Sequence, residues 1–452
     1  MKVVIVGLGR VGLTLAKVLC EEGHNIVAIE RNAETLQESV NHLDIQGIVG
    51  NGCVAENLQS AGVAQCDLFV AVTAQDENNL LCCMVARVLG AKRVVARVRD
   101  PEYYEQFQFM RESLGINSLV NPEVAASHEI SRILRFPTAM KVSSFSAGKV
   151  EIIECKIPSG CKLIGASLAE IGKQSKPKVL VVAIDRDGKT FIPDGSTVLQ
   201  EDDVINVCAK HAALRTFFRN YGLLKHRVQS VVILGGGRDA FYLARMLEES
   251  AISVKIIAHD YDRCREIKSG LKHTQVVCGD YTDREILDRE GISDADAVVC
   301  MSEHDENNIV IALYAKEQGV EKVIPLLHGD GYRGLLENIK LESSISPYRL
   351  AAAELARYLR AIDVEEGHQV LAMYKIANEG AEALLFKVDK DERFIGKPLK
   401  DLKIKRGNLI SAVIRNATVH IPDGNFVLEE NDEIVVVSTA EQLYELEEIL
   451  QS

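Results

Sequence analysis

The chain has 452 residues, 47% of them hydrophobic and 26% charged, a balance that supports several buried cores and excludes a long disordered polymer. A formal net charge of −13 argues against a nucleic-acid surface, which needs a basic face. Eleven cysteines with no CxxC spacing read as reduced, mostly buried small side chains and not as a disulfide framework or metal site. Met1 leads straight into an apolar run, so no signal peptide is expected, and no stretch approaches the roughly 18 apolar residues of a membrane span.

In chain order, short β-branched runs alternate with amphipathic stretches. Strands are predicted at Val3–Val6, Ile26–Glu30, Asp44–Val49, Asp67–Val72, Arg93–Val98 and Ser118–Val120. Helices are predicted near Arg10–Glu22, Ala33–Val40, Val54–Ala61 and Asn78–Leu89. Continuous apolar strands separated by helices imply an α/β fold of Rossmann type, a doubly wound parallel sheet. A helix near Glu123–Leu134 follows, stopping before Pro137. From Val150 the pattern turns antiparallel: Val179–Arg186 runs into Asp187-Gly188, a hairpin signal, then Thr190–Ile192 and Val204–Cys208, with a helix near Ala212–Tyr221. The basic link Lys225-His226-Arg227 closes this half.

The whole arrangement then repeats. Gly7 and Gly235 open matching glycine-rich turns 228 residues apart, Asp76-Glu77-Asn78-Asn79 returns as Asp305-Glu306-Asn307-Asn308, and Ile192-Pro193-Asp194-Gly195 as Ile421-Pro422-Asp423-Gly424. The chain is a tandem duplication, and differences between its copies bear on function. In the second small α+β module, strands are expected at Ala383–Val388, Leu409–Arg415, Thr418–Ile421 and Glu433–Val437, with a terminal helix near Ala440–Leu450. Four domains are expected, over residues 1–140, 141–227, 228–365 and 366–452.

The first turn, Gly7-Leu8-Gly9-Arg10-Val11-Gly12, carries the requirements of dinucleotide binding: a tight turn, close backbone approach to a pyrophosphate, and close helix packing, with the phosphate on the helix N-terminus. Glu30, ending the second strand, is placed to accept ribose hydroxyls and disfavours a 2′-phosphate. In the second copy Gly235-Gly236-Gly237-Arg238 keeps the turn and Ala240 takes the packing position, but Ala258 stands where Glu30 stood, leaving His259 or Asp260 to reach a ribose. Arg10 and Arg238 are each either phosphate contacts or solvated first-turn arginines. Asp76 and Asn78 sit at the carboxyl edge, where such sheets bind ligands, or cap the following helix. Thr73 and Ser302 share that edge as donors, and Arg97 and Arg99 are cations replaced by Leu326 and His328 in the second copy. No Ser-His-Asp arrangement, Walker lysine or HExxH is present, and the accessory modules offer few acid–base candidates, among them His211 and His420. Nucleotide sites without catalytic or metal residues point to a sensor and not an enzyme.

On the first glycine turn, Glu30, Gly50 with its counterpart Gly279-Asp280, the paired Asp-Glu-Asn-Asn motifs and the paired Ile-Pro-Asp-Gly turns, the chain resembles the TrkA family along essentially all its length. These are peripheral cytosolic subunits of bacterial and archaeal Trk potassium-uptake systems, each with two RCK units made of an RCK-N (KTN) and an RCK-C domain. The resemblance implies a non-enzymatic regulator that binds NAD(H) and ATP or ADP, forms a homo-oligomeric ring and docks on a membrane-embedded potassium translocator from the cytoplasmic side. It also places Asn51, where the family commonly has Asp, and Asp280 near the nucleotide. An NAD-dependent oxidoreductase and a nucleotide-sensing subunit of another ion transporter are the rival readings. The crossover helices near Glu123–Leu134 and Ser346–Leu359 are expected to present Ile130, Ile133, Leu134, Leu350, Leu355 and Leu359 for self-association.

Overall fold

The computed structural model describes residues 1–135, 139–146, 148–223, 228–329, 331–332, 341, 344–365, 370–377, 380–389, 394–439, 443 and 445–451. Two compact units are present: Met1–Ser131 with Gln229–Leu359, and Arg132–Val228 with Arg360–Ser452. The sequence runs through its repeats in order, yet like packs with like. The parallel modules of the two halves form one unit and the antiparallel modules the other.

In the first unit the strands β1 (Lys2–Val6), β2 (Asn25–Glu30), β3 (Ile45–Val49), β4 (Leu68–Ala71), β5 (Val94–Arg97) and β6 (Ser118–Val120) form a sheet ordered β3-β2-β1-β4-β5-β6, and each neighbouring pair is parallel. Helices α1 (Arg10–Glu21), α2 (Ala33–His42), α3 (Ala55–Ser60) and α4 (Asp76–Val88) make the crossovers. The order reverses between β1 and β4, and their carboxyl ends frame the crevice where such sheets take ligands. Two short helices missing from the sequence reading, α5 (Pro101–Tyr104) and α6 (Phe107–Leu114), precede β6. Asp100 caps the first by accepting from the Glu102 amide, and Pro101 sits at its start. Helix α7 (Pro122–Arg135) ends this module.

The second parallel module is ordered β14-β13-β12-β15-β16. Its strands are β12 (Ser230–Leu234), β13 (Ser253–Ala258), β14 (Gln275–Cys278), β15 (Ala297–Cys300) and β16 (Lys322–Pro325). Ile345 pairs with Leu326 where a sixth strand would lie. Helices α8 (Leu168–Gln174) and α9 (His211–Asn220) belong to the second unit; α10 (Arg238–Glu249), α11 (Tyr261–Ser269), α12 (Arg284–Arg289) and α13 (Asp305–Glu317) repeat α1 to α4, and a helix over Pro347–Glu365 repeats α7.

The two modules meet through specific bonds. The Tyr242 hydroxyl donates to the Arg99 carbonyl at 3.0 Å, Ser127 Oγ to the Asp239 carbonyl at 3.2 Å, and Arg238 Nη2 to Asp100 at 3.2 Å. This packing corrects the expectation for the crossover helices. Ile130, Ile133, Leu134, Leu355 and Leu359 are at most 3% exposed in the single chain, so five of the six residues named for self-association are already covered, while Leu350 is half-buried.

The second unit holds two five-stranded sheets. The first, ordered β10-β9-β11-β8-β7, joins Lys189–Phe191, Leu180–Arg186, Val204–Ala209, Val150–Lys156 and Ala139–Phe145 in that order; the second comprises Val370–Ile376, Ala381–Lys387, Glu433–Ser438, Asn408–Arg415 and Thr418–His420. Asp187 and Gly188 take positive φ in the predicted hairpin. One cluster fuses both sheets, with Phe145, Ile152 and Val182 packed among Leu385, Ile414 and Val435. Glu154 accepts from the Ala377 amide at 2.8 Å across this seam. The link 225–227, Pro137 and part of the expected terminal helix lie outside the described residues. The described part of that helix is a 3-10 turn over Leu446–Ile449.

Candidate functional site

The first glycine turn is shaped for open approach. Gly7 takes φ +94°, and a Cβ there would press on the Thr73 backbone at 3.1 Å. A Cβ on Gly12 would lie 1.9 Å from the Gly7 carbonyl oxygen, so the third glycine serves helix–turn packing. Gly9, the N-cap of α1, has nothing within 4 Å of a Cβ position. The α1 N-terminus carries no side-chain cap and no acid in its first turn. Its amides and dipole therefore present positive potential to open space, the setting that attracts a phosphate.

Glu30 closes one side. Its Oε2 accepts from the Leu8 amide at 2.7 Å and its Oε1 from the Asn32 amide at 2.9 Å, which fixes the carboxylate beneath the turn while each oxygen keeps a lone pair for a hydroxyl. Asn51 Oδ1 accepts from Arg31 Nη2 at 2.7 Å and from the Cys53 amide at 3.0 Å, tying the loop after β3 to the end of β2. Opposite, the buried Asn79 accepts from the Thr73 amide and hydroxyl, both at 2.7 Å, and donates to the Arg97 carbonyl at 2.9 Å.

These residues surround a cleft of about 540 Å³ lined by Gly7, Gly9, Arg10, Glu30, Arg31, Asn51, Thr73, Asn78, Arg97 and Tyr348, among others. Arg97 is 8% exposed and its Nε has no hydrogen-bond partner among the described residues. Burial, then the neighbouring Arg99 charge, push its pKa down. A desolvated guanidinium facing a cleft is chemically suited to an anion.

Not every predicted residue reaches the cleft. The Leu8 and Val11 side chains are core, at 2% and 1% exposure, and Leu8 serves through its amide. Asp76 is absent from the cleft lining; its Oδ2 accepts from the Arg99 and Asp100 amides at 2.9 Å each and holds the loop after β5. Sequence reasoning missed Asn79, Arg31 and Tyr348. Asn79 was visible in the repeated motif, whereas Tyr348 arrives from the other half of the chain.

The second copy is built differently at the decisive point. Gly235 has φ +126° and Gly237 caps α10 as Gly9 caps α1. A Cβ on Gly237, however, would sit 2.1 Å from Asp239 Oδ1. Asp239 accepts from the Ala240 amide at 2.9 Å and is pushed up to about 7 by burial. The protein's own carboxyl group occupies the seat that Gly9 leaves open. Arg263 Nε donates to the Gly236 carbonyl at 2.8 Å across the turn, and Arg238 is turned to Asp100. His259 stacks edgewise on Tyr281 with ring centroids 5.7 Å apart, Asp280 accepts from the Thr282 amide and hydroxyl at 2.8 and 2.7 Å, and Ser302 is bonded to Asn308 as Thr73 is to Asn79. Among the described residues no cluster of His, Cys, Asp or Glu is arranged to hold a metal, and no helix is long and apolar enough to cross a membrane.

Comparison with known proteins gives concordant matches. The TrkA-N domain matches residues 3–122 and 231–347, and the TrkA-C domain 152–222 and 384–451. The chain is 32% identical over 451 residues to the Trk system potassium uptake protein TrkA homolog of Archaeoglobus fulgidus, covering 100% of each. It is 31% identical over 441 residues to Trk system potassium uptake protein TrkA of Vibrio alginolyticus, covering 96% of this chain and 95% of that one. The structure of the GsuK channel bound to NAD superposes with TM-score 0.64 at 18% identity, over 97% of this chain and 77% of that chain, a likeness of fold.

Proposed function

Because the chain belongs to the TrkA family, we propose that it is a regulatory subunit of a Trk-type potassium uptake system, gating a membrane translocator according to the nucleotide in its first-half cleft. The carrying observation is the contrast between Gly9, open over an uncapped helix N-terminus, and Gly237, whose matching space holds Asp239. NAD(H) suits the first cleft: a pyrophosphate against Gly9 and Arg97, and an adenosine ribose at Glu30. ADP and ATP share the adenosine and phosphate parts and compete for the same groups. The second copy binds little, since a phosphate there would have to displace a buried carboxyl group.

The reading is non-enzymatic. Among the described residues, Glu30 is the only carboxylate lining the cleft and no histidine lines it, and both Glu30 oxygens already hold backbone amides. An acid–base pair for hydride chemistry is therefore missing from this wall. Ligand bias on gating requires only that one arrangement of the chain bind nucleotide better than another. Domain borders fall near residues 140, 228 and 365, and the protein works as a homo-oligomer on the cytoplasmic face of the membrane. Since both compact units draw on both halves, the test uses the full chain. Calorimetric titration with NADH, NAD, ADP and ATP is expected to give one site per chain, and reconstitution with a Trk-type translocator to give nucleotide-dependent potassium flux. Steady oxidation of NADH with a carbonyl substrate, or flux indifferent to nucleotide, would overturn the reading.

A further inference from the structure

Tyr348 stands out as a second-half residue on the wall of the first-half cleft. It opens the helix Pro347–Glu365 and lines the cleft beside Arg10 and Arg97. Its seat belongs to the second half. The phenol ring lies 5.6 Å from the His328 ring, and His328 Nδ1 is 2.9 Å from Asp305 Oδ1, which also accepts the His328 amide at 2.8 Å. Asp305 opens the repeated Asp-Glu-Asn-Asn motif, and His328 stands where the first copy has Arg99. The second copy's departures thus shape a perch for an aromatic ring in the first copy's site.

The chemistry of the perch selects an acceptor. Two guanidiniums, Arg10 and Arg97, share the cleft wall with the Tyr348 oxygen; because a guanidinium only donates, neither can take the phenol proton, and the O–H is left to donate elsewhere. Of the nearby carboxylate, Glu123 Oε2 has no hydrogen-bond partner among the described residues and Oε1 faces Arg99 at 4.0 Å. The remaining direction is the cleft, where Arg10, Arg97 and the α1 N-terminus already favour anionic oxygens.

We propose that Tyr348 is a ligand-binding residue of the first-half cleft, donating its hydroxyl to a phosphate oxygen of the bound nucleotide, so that one ligand bridges the two halves of the chain. This rests on the nucleotide reading above and adds its consequence. Occupancy of the first site is felt by the second half through the helix that Tyr348 begins, and the duplicated module works as a reader of its twin and not as a second nucleotide store.

The test is made on the full-length protein with NADH and ADP. Tyr348→Phe removes one hydroxyl and keeps the ring on His328. It is expected to weaken both ligands roughly tenfold, the scale of a hydrogen bond to a charged group, without moving the unfolding midpoint of the ligand-free chain. Hydrogen exchange on the unaltered protein is expected to show NADH protecting amides at the start of the Pro347–Glu365 helix as well as those of the Gly7–Gly12 turn; this measurement stands even if a variant is destabilised. Unchanged affinity in Tyr348→Phe, or protection confined to the glycine turn, overturns the bridge while leaving the site intact. Failure of the unaltered protein to bind either ligand, or binding untouched by Glu30→Ala, overturns the nucleotide reading itself and the bridge with it.

Discussion

The Asn79 side chain donates to the carbonyl oxygen of Arg97 at 2.9 Å, joining the first turn of α4 to the end of β5. The same amide accepts from the Thr73 backbone and hydroxyl. The second copy keeps the device unchanged, with Asn308 bonded to Ser302 and to the Leu326 carbonyl at 2.9 Å. The clasp survives in both copies while the residue it holds has changed from arginine to leucine, so it serves the fold in each and borders the cleft in one.

Asn79→Ala should therefore act on two readouts and Asn308→Ala on one. Each strands buried backbone partners and should cost at least about 2 kcal/mol of stability. Only Asn79→Ala also releases Thr73 and Arg97 at the cleft. Denaturant melts should show both losses, and calorimetry should show weaker NADH binding for Asn79→Ala alone, read below the onset of unfolding.

Gly9→Asp places a carboxylate in the open space over the α1 N-terminus and reproduces in the first copy what Asp239 does in the second. NADH binding should disappear while the fold persists, because a Cβ there meets nothing within 4 Å. Glu30→Ala removes the ribose acceptor and should weaken NADH by about 1–3 kcal/mol. Titration at fixed salt measures both, and unaltered affinity in the pair would remove the assignment.

Much of this architecture was legible from local pattern. The apolar strands, the glycine turns and the hairpin at Asp187-Gly188 are each set by neighbouring residues, and the structure has them within a residue or two. What could not be read was pairing across distance. Nothing near Ile130 or Leu355 says that its apolar face is covered within the same chain, and an apolar helix face predicts burial without naming the cover. Tyr348 and Arg97 lie 251 positions apart in the sequence, yet line one cleft. Asp239 illustrates the opposite failure: it was in plain view as the acid replacing Val11, but its consequence depends on the carboxyl group folding back over Gly237. The short α5 and α6 were missed because they span only 4 and 8 residues, less than the stretch over which a helical period stands out.

Arg97 should trade stability for binding. A cation 8% exposed, with its Nε unpartnered, costs desolvation that the nearby Glu123 and Asp76 charges oppose. Arg97→Met, close in volume and uncharged, should raise the ligand-free unfolding midpoint and lower NADH and ADP affinity together. A variant less stable than the parent and equally able to bind would show that Arg97 is a structural cation.

Asp239 carries the pH dependence. Its carboxyl is pushed up to about 7 in the folded chain, first by burial and further by Glu123 on α7, with the Ala240 amide and Arg263 on α11 opposing. An acid raised in the folded state binds its proton more tightly there than when unfolded, where its pKa is about 3.9. The stability it contributes is fully present below that unfolded value and is lost as pH rises from about 4 through about 7. The loss is on the order of 4 kcal/mol at about 1.36 kcal/mol per pKa unit. Asp239→Asn has no such proton to lose. Its unfolding midpoint should match the parent near pH 4 and exceed it increasingly up to pH 8, where the gap levels off. Parallel pH profiles of the two proteins by thermal denaturation would show that Asp239 is ionised throughout and that the second glycine turn is stabilised by charge.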